Sequence, residues 1–463
     1  MKKDALFSEF APVSSKEWKQ KIQVDLKGAD YNQTLVWESL EGIKVKPFYT
    51  TEDTQGNLKF KSNTNHHWKI GQSIYAGNSV LANKKALDVL NRGAQAIIFI
   101  IPDSKVDWNL LFENLPLEKV NIHLKFELLD LPTFSQLQRY IEGKSCQIYI
   151  HADIIGQLAK TGNWFHSLQM DHEILDALMH SMRDEAGVST LSIDLSLYQN
   201  AGATMVQQLA YGLAHANEYL NHFKEILNIG IEKPIVFNVA VGTNYFFEVA
   251  KLQALRWLWN SIKDHYGLKK DCHIVAMPSK RNKTIYDYNV NMLRTTSECM
   301  SAVLGGANTI CNLPYDSLYH KENEFGDRIA RNQLLLLREE SFFDEAMNAS
   351  EGAYYIDHLT GTLASKALVL FKQIEASGGF LGELKKGIIH KKIKESAEKE
   401  QQLFDEGQLV LLGTNRYQNP NDKMKDTLEL YPFLKTDKRK TLIAPILERR
   451  LAEKLEQKRL NDE

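Results

Sequence analysis

From about residue 93 onward the chain alternates short, β-branched apolar runs with long segments of helical spacing, and few folds accommodate that rhythm. The runs lie at 94–101, 120–128, 146–151, 190–196, 235–241, 273–276, 308–312 and 353–356. Several are nearly continuous apolar stretches, as expected of strands covered by helices on both faces. Between them Phe246, Val249, Ala250, Leu252, Leu255 and Leu258 recur at three and four, as do Met292, Leu293, Cys299, Met300 and Val303. That is the period of a helix burying one face. Eight strands, each followed by a helix, predict an α/β fold, a (β/α)8 TIM barrel. An open doubly wound sheet shows the same alternation and competes with it, because periodicity does not reveal closure.

Composition narrows the function. A chain of 463 residues allows two to four domains, or one large barrel with attachments. Lys and Arg number 56 against 58 Asp and Glu, a net charge of −2. Such a surface has no electrostatic reason to hold a phosphate backbone, so nucleic acid is not an expected partner. Cys146, Cys272, Cys299 and Cys311 form no C-x-x-C pair, which suits a reducing cytoplasm. The opening Met1-Lys-Lys-Asp-Ala-Leu-Phe lacks the apolar stretch of a signal peptide. The apolar run ending at Pro102 is far shorter than the roughly 20 residues a membrane helix needs.

Three regions are expected. Residues 1–38 read as an arm in which Phe7, Phe10, Trp18 and Trp37 are spread among charges, and the segment from Trp18 to Leu26 suits one amphipathic helix. Such an arm packs back on its own domain or reaches a partner. Residues 39–380 would form the barrel, with a helix over 360–373 broken at Gly378-Gly379. Residues 381–463 read as a helical extension: 381–406 and 439–460 are rich in Lys and Glu, and Leu447, Leu451 and Leu455 share one face. A turn-rich linker, 415–421, precedes the last of these.

In such a barrel the reactive groups stand at the C-terminal ends of the strands. The polar candidates there are His151, Asp153, Asp194, Ser196, Asn238, Ser279 and Asn312. His151 and Asp153 could give a metal two ligands, but a helix cap at Asp153 and a rim hydrogen bond at His151 explain them more simply, so no metal site is expected. His66 and His67 fall in a polar loop before the barrel and read as surface residues. The glycine pairs at 305–306 and 378–379 match no dinucleotide or P-loop pattern, and no G-x-S-x-G occurs. Asp271-Cys-His273 has the first two positions of an Asp-x-His-x-x-Gly cobalamin loop, but Ala276 stands where its glycine belongs, inside an expected strand.

Several segments resemble the methylmalonyl-CoA mutase family. They are Thr34-Leu-Val-Trp-Glu-Ser-Leu-Glu-Gly42 through Pro47-Phe-Tyr49-Thr, and Gln199-Asn-Ala201-Gly202-Ala203-Thr204, which is similar to the family's Q-E-A-G-A-T. The run from Phe246 to Trp259, Asp327-Arg-Ile-Ala-Arg-Asn-Gln-Leu, Glu351-Gly352-Ala-Tyr-Tyr355, Ile374-Glu-Ala-Ser-Gly-Gly379 and Gly413-Thr-Asn-Arg-Tyr417 follow in order. The resemblance implies a (β/α) barrel, an acyl-CoA substrate whose pantetheine arm threads the axis, and adenosylcobalamin held by a separate α/β domain. The chain reaches Glu463 without such a domain, so no cobalamin is expected on it.

The family's functional positions also depart. Its Tyr-His pair falls at Ser196 and Leu197, and its strand-three Gln falls at His151 when Asp153 is matched. The Arg that clamps the substrate carboxylate falls near Thr161, and 147–180 contain no Arg. Anchored on Asn291 and Arg294-Thr295, the sixth-strand His and Gln fall at Val275 and Met277, and after Thr50 the radical-gating Tyr is missing. Leucine cannot donate to an oxyanion. The resemblance therefore implies a small, non-catalytic beta subunit with no catalytic, cofactor-binding or metal residue, whose arm anchors a large catalytic mutase subunit in a heterodimer. The rival readings are a repurposed barrel enzyme using His151, Asp153 and Asp194, and a CoA-ester-binding regulatory barrel.

Overall fold

The computed structural model describes residues 9–53, 67–227, 233–345, 348–435 and 438–463. A parallel sheet forms the centre. Its strands are β1 (Lys69–Tyr75), β2 (Ala96–Ile101), β3 (Asn121–Phe126), β4 (Gln147–His151), β5 in two pieces (Val188–Ser189 and Ser192–Asp194), β6 (Val236–Val241), β7 (His273–Pro278) and β8 (Thr309–Cys311). The first piece of β5 pairs with β4, the second with β6, and β8 returns to β1. The two outermost pieces of the sheet belong to one strand interrupted at Thr190 and Leu191, so the sheet is a closed eight-stranded barrel.

Strand alternation sorts the side chains. Ile97, Phe99, Ile122, Leu124, Ile148 and Ile150 point outward into the core shared with the helices. Ile98, Tyr149, Val236, Val275 and Cys311 pack on one another inside.

Seven of the expected strands are present; the eighth is not the one expected. Residues 353–356 open the helix Tyr354–Ala376, which packs on the helices Met205–Leu227 and Tyr245–His265. That burial overrides the local β-preference of Tyr-Tyr-Ile. The missing strand is β1, so each strand expected from 94–101 onward moves up by one in the barrel count. Gly71 sits inside it because a Cβ there would lie 3.1 Å from the Thr309 methyl.

The arm's helix is Ser15–Asp25, begun by a capping box between Ser14 and Glu17 and burying none of its residues. Trp18 meets Phe48 edge-on and Trp37 meets Phe247, yet Phe10, Trp18 and Trp37 remain 67%, 50% and 53% exposed. Trp37 and Glu38 pair with Val45 and Lys44 in a hairpin whose tip carries Glu41. Phe7 and His66 lie outside the described residues, as do residues 54–66, which cover most of the stretch after Thr50 where the family's gating Tyr belongs.

The C-terminal region is less helical than expected. Helices span Gly379–Lys385, Ile388–Asp405 and Glu453–Asp462, whereas 438–452 form an irregular strap. Its backbone N–H groups are engaged elsewhere: Leu442 and Ile443 on the Gly162 carbonyl, Ile446 on Ala159, Arg449 on Asn200 and Leu451 on Arg281. Pro445 also lacks a donor. The strap thus crosses the helices and loops that follow β4, β5 and β7, leaving Leu447 exposed while Leu451 is buried.

Candidate functional site

The barrel axis is filled at mid-height by a polar–aromatic layer. The Asn238 amide donates to His151 Nδ1 at 3.0 Å, and His151 Nε2 faces His123 Nδ1 at 3.0 Å. His123 stacks on Tyr149 with ring centroids 4.6 Å apart, and His273 lies against both, bonded to Thr309 Oγ1 at 3.1 Å. The chain of donors fits neutral imidazoles, with His151 Nε2–H donating to His123. Burial, and then the Lys125 ammonium, pushes His151 down to about 3. Burial followed by the neighbouring imidazoles pushes His123 well below its ordinary value. Burial raises the Tyr149 phenol to about 12.

Above this layer a cavity of about 400 Å³ opens at the strand C-termini, lined by Ile98, Lys125, Asp194, Leu197, Met277 and Asn312 among others. Lys125 Nζ lies 3.4 Å from Asp194, whose carboxylate also takes the Ser196 N–H at 3.0 Å and its hydroxyl. Burial works against the charge on Asp194, but Lys125, Ser196 and Lys160 together hold its pKa below the ordinary value. The Asp194 charge in turn raises the Lys125 ammonium, so this lysine is a cation rather than a nucleophile.

His151, Asp153 and Asp194 do not converge into one reactive site. Asp153 caps the helix Ile154–Thr161 through the Gly156 N–H at 2.8 Å. It also accepts the Asp194 N–H at 2.9 Å, the Tyr219 hydroxyl at 2.8 Å and pairs with His215 Nε2 at 2.9 Å. A carboxylate with four such partners is a structural hub, whereas His151 faces the axis. Among the described residues no group of three or more His, Cys, Asp or Glu could hold a metal.

The remaining candidates are also engaged. Ser279 Oγ donates to Asn200 Oδ1 at 2.9 Å, and Asn312 holds the Ala330 carbonyl at 3.0 Å. Thr161 closes the end of its own helix through the Gln157 and Asn163 carbonyls. His67 is exposed, 3.4 Å from Asp344, while the adjoining Trp68 is buried at the entrance to β1. Leu197 is 3% exposed, and Val275 and Met277 belong to the apolar packing inside the barrel. All four cysteines are free and buried.

Cobalamin finds no lower ligand at Asp271-Cys-His273. His273 is buried on β7, and Asp271 is paired with Arg256 at 3.1 Å beneath the strand. That histidine does not fit a corrin ligand, which needs an accessible imidazole.

The recognisable motifs turn out to hold the barrel together. Gly202 has φ +95°, and a Cβ on it would come within 2.6 Å of the Ala397 Cβ and 2.8 Å of the Arg281 guanidinium. In the helix Tyr245–His265, the buried pair Glu248–Lys251 (2.6 Å) reaches the Gly242 N–H and the Ala240 carbonyl at the end of β6. Lys283 and Glu298 form a second buried pair at 2.7 Å, and Asn291 ties Thr284 to Tyr315.

The residues missed by sequence reasoning are His123, Lys125 and Tyr149. A signal existed: in β3 Asn121, His123 and Lys125 alternate with Ile122, Leu124 and Phe126, placing three polar side chains on the axis.

The model of the methylmalonyl-CoA mutase family matches residues 100–461. The methylmalonyl-CoA mutase small subunit of Porphyromonas gingivalis is 34% identical over 92% of this chain and 73% of its own. The large subunit of the same organism is 26% identical over 85% of this chain and 62% of its own. The mutase of Cereibacter sphaeroides is 27% identical over 89% and 65%. This chain therefore spans less than two thirds of the latter two proteins. No helix among the described residues is long and apolar enough to cross a membrane. With the barrel, the motif packing and these matches in agreement, the chain belongs to the methylmalonyl-CoA mutase family.

Proposed function

We propose that this chain is the small, catalytically silent subunit of a cytoplasmic, heterodimeric methylmalonyl-CoA mutase. Its large subunit would carry adenosylcobalamin and interconvert methylmalonyl-CoA and succinyl-CoA, and this chain would stabilise it. The carrying observation is Leu197: a buried, apolar side chain lines the mouth where the family resemblance calls for an imidazole donor. The packed layer of His123, Tyr149 and His273 supports the same reading, because it fills the axis along which pantetheine would pass. The greater identity to a small subunit than to a large one points the same way. The arm of residues 1–38, with Phe10, Trp18 and Trp37 half or more exposed, supplies aromatic anchors of the type found at interface centres.

Co-expression with a large mutase subunit is the test. The two chains should co-elute, the complex should isomerise methylmalonyl-CoA, and Trp18→Ala with Trp37→Ala should weaken co-elution. Turnover by this chain alone, tight binding of adenosylcobalamin to it, or failure to co-elute with a large subunit would overturn the proposal.

A further inference from the structure

The helix Ile388–Asp405 and the strap meet where Gln401 Nε2 donates to the Leu451 carbonyl at 3.2 Å, and part elsewhere. Between them lies a slot of about 420 Å³ whose apolar lining includes Ala201, Ile393, Ala397, Pro445 and Ile446. Its walls are fixed from behind. Arg281 Nε bonds Glu400 on the helix at 2.5 Å, and its Nη1 bonds the Arg449 carbonyl on the strap at 2.8 Å. Ser396 Oγ holds the Gly202 carbonyl at 2.8 Å, and the Ile446 N–H holds the Ala159 carbonyl at 2.8 Å. The slot is therefore preformed, as small-molecule sites usually are.

Its rim is cationic. Lys394, Arg449 and Lys454 stand around it against the single lining carboxylate of Glu398. Two of these cations are loosely held, Lys394 at 3.7 Å from Glu398 and Arg449 at 4.0 Å from Glu453. His390 lines the same slot beside the Ala444 backbone of the strap, with both ring nitrogens shut off from solvent.

We propose that the slot binds an organic carboxylate with an apolar body. The body lies between Ile393, Ala397 and Pro445, and the carboxylate sits among Lys394, Arg449 and Lys454. The volume is near the lower end of the ~300–1,000 Å³ typical of such sites, which suits a medium-chain acid rather than a CoA ester. This site is separate from the barrel mouth and does not depend on the subunit reading.

Isothermal titration of the full chain with octanoate tests it. Saturable one-to-one binding is expected, weakened about tenfold by Arg449→Glu, since a charge-assisted contact is worth roughly one decade in affinity. Leu447→Glu, which places a repelling charge at the slot, should weaken it comparably. Both side chains are about half exposed, so both variants keep the fold. Octan-1-ol, which has the tail without the charge, should bind more weakly. No saturable heat at millimolar octanoate, or equal binding by both variants and the parent, would overturn the proposal.

Discussion

Glu41, at the tip of the N-terminal hairpin, accepts the backbone N–H of Met205 at 2.8 Å, and its second carboxylate oxygen accepts that of Val206 at 2.9 Å. A carboxylate more than 160 residues away thus caps the helix Met205–Leu227, where the helix dipole favours negative charge. Burial raises the Glu41 pKa despite these bonds. The hairpin is therefore part of the barrel's stability. Glu41→Ala leaves two donors unsatisfied and should destabilise the protein by about 2–3 kcal/mol, read as a lower urea midpoint. An unchanged midpoint would show that water replaces the cap at no loss.

Gly202→Ala should be more damaging than its size suggests. The position needs a left-handed backbone, and the new Cβ meets Ala397 and Arg281 at once. A loss of about 2–4 kcal/mol is expected from strain and overpacking together. A calorimetric Tm equal to that of the parent would contradict the close packing.

Stability should fall in acid through the axial histidines. His151 is held near 3 when folded against 6.5 when free, so below pH 6.5 the unfolded chain binds a proton that the native state refuses. Stability is then complete above pH 6.5 and declines by about 1.4 kcal/mol per pH unit for each such histidine as the pH drops towards 3. His123 adds to the slope in the same direction. Denaturation at several pH values should give a shallower acid slope for His151→Asn than for the parent; equal slopes would place a proton on His151 in the native protein.

Arg450 and Glu456 form a buried pair at 2.6 Å, and Glu456 also accepts the Ile285 N–H at 2.9 Å. Removing only the cation, in Arg450→Ala, leaves a buried carboxylate uncompensated and should lower stability by about 3–5 kcal/mol. Arg450→Met with Glu456→Gln should recover much of that loss. Urea unfolding of the two variants decides the matter, and a double variant no better than the single one would refute the charge argument.

The barrel was legible because most of its strands are dense apolar runs with no reading other than burial. β1 escaped because Lys69, Gly71, Gln72 and Ser73 interrupt its pattern, and its register depends on Gly71 passing Thr309, a contact distant in sequence. Residues 353–356 misled because Tyr354, Tyr355 and Ile356 prefer strands locally, while the helix they open is fixed by two other helices. The cap at Asp153 could be read from one carboxylate ahead of a helical run. The layer of His123, Tyr149 and His273 could not, because it is assembled from strands far apart in the chain. The strap's charge pattern suits a helix, but its backbone is committed instead to the segments after β4, β5 and β7.

The strap has a mechanical corollary. It ties the segments after β4, β5 and β7 together at Gly162, Asn200 and Arg281, whereas among the described residues its backbone N–H groups reach no segment after β1, β2 or β3. The other side is tied by bonds of its own, the Asp107 N–H on Ser79 Oγ at 3.0 Å and His166 Nε2 on the Leu129 carbonyl at 2.7 Å. Motion on the strapped side is coupled: displacing the strap there would break backbone bonds to three separate segments at once.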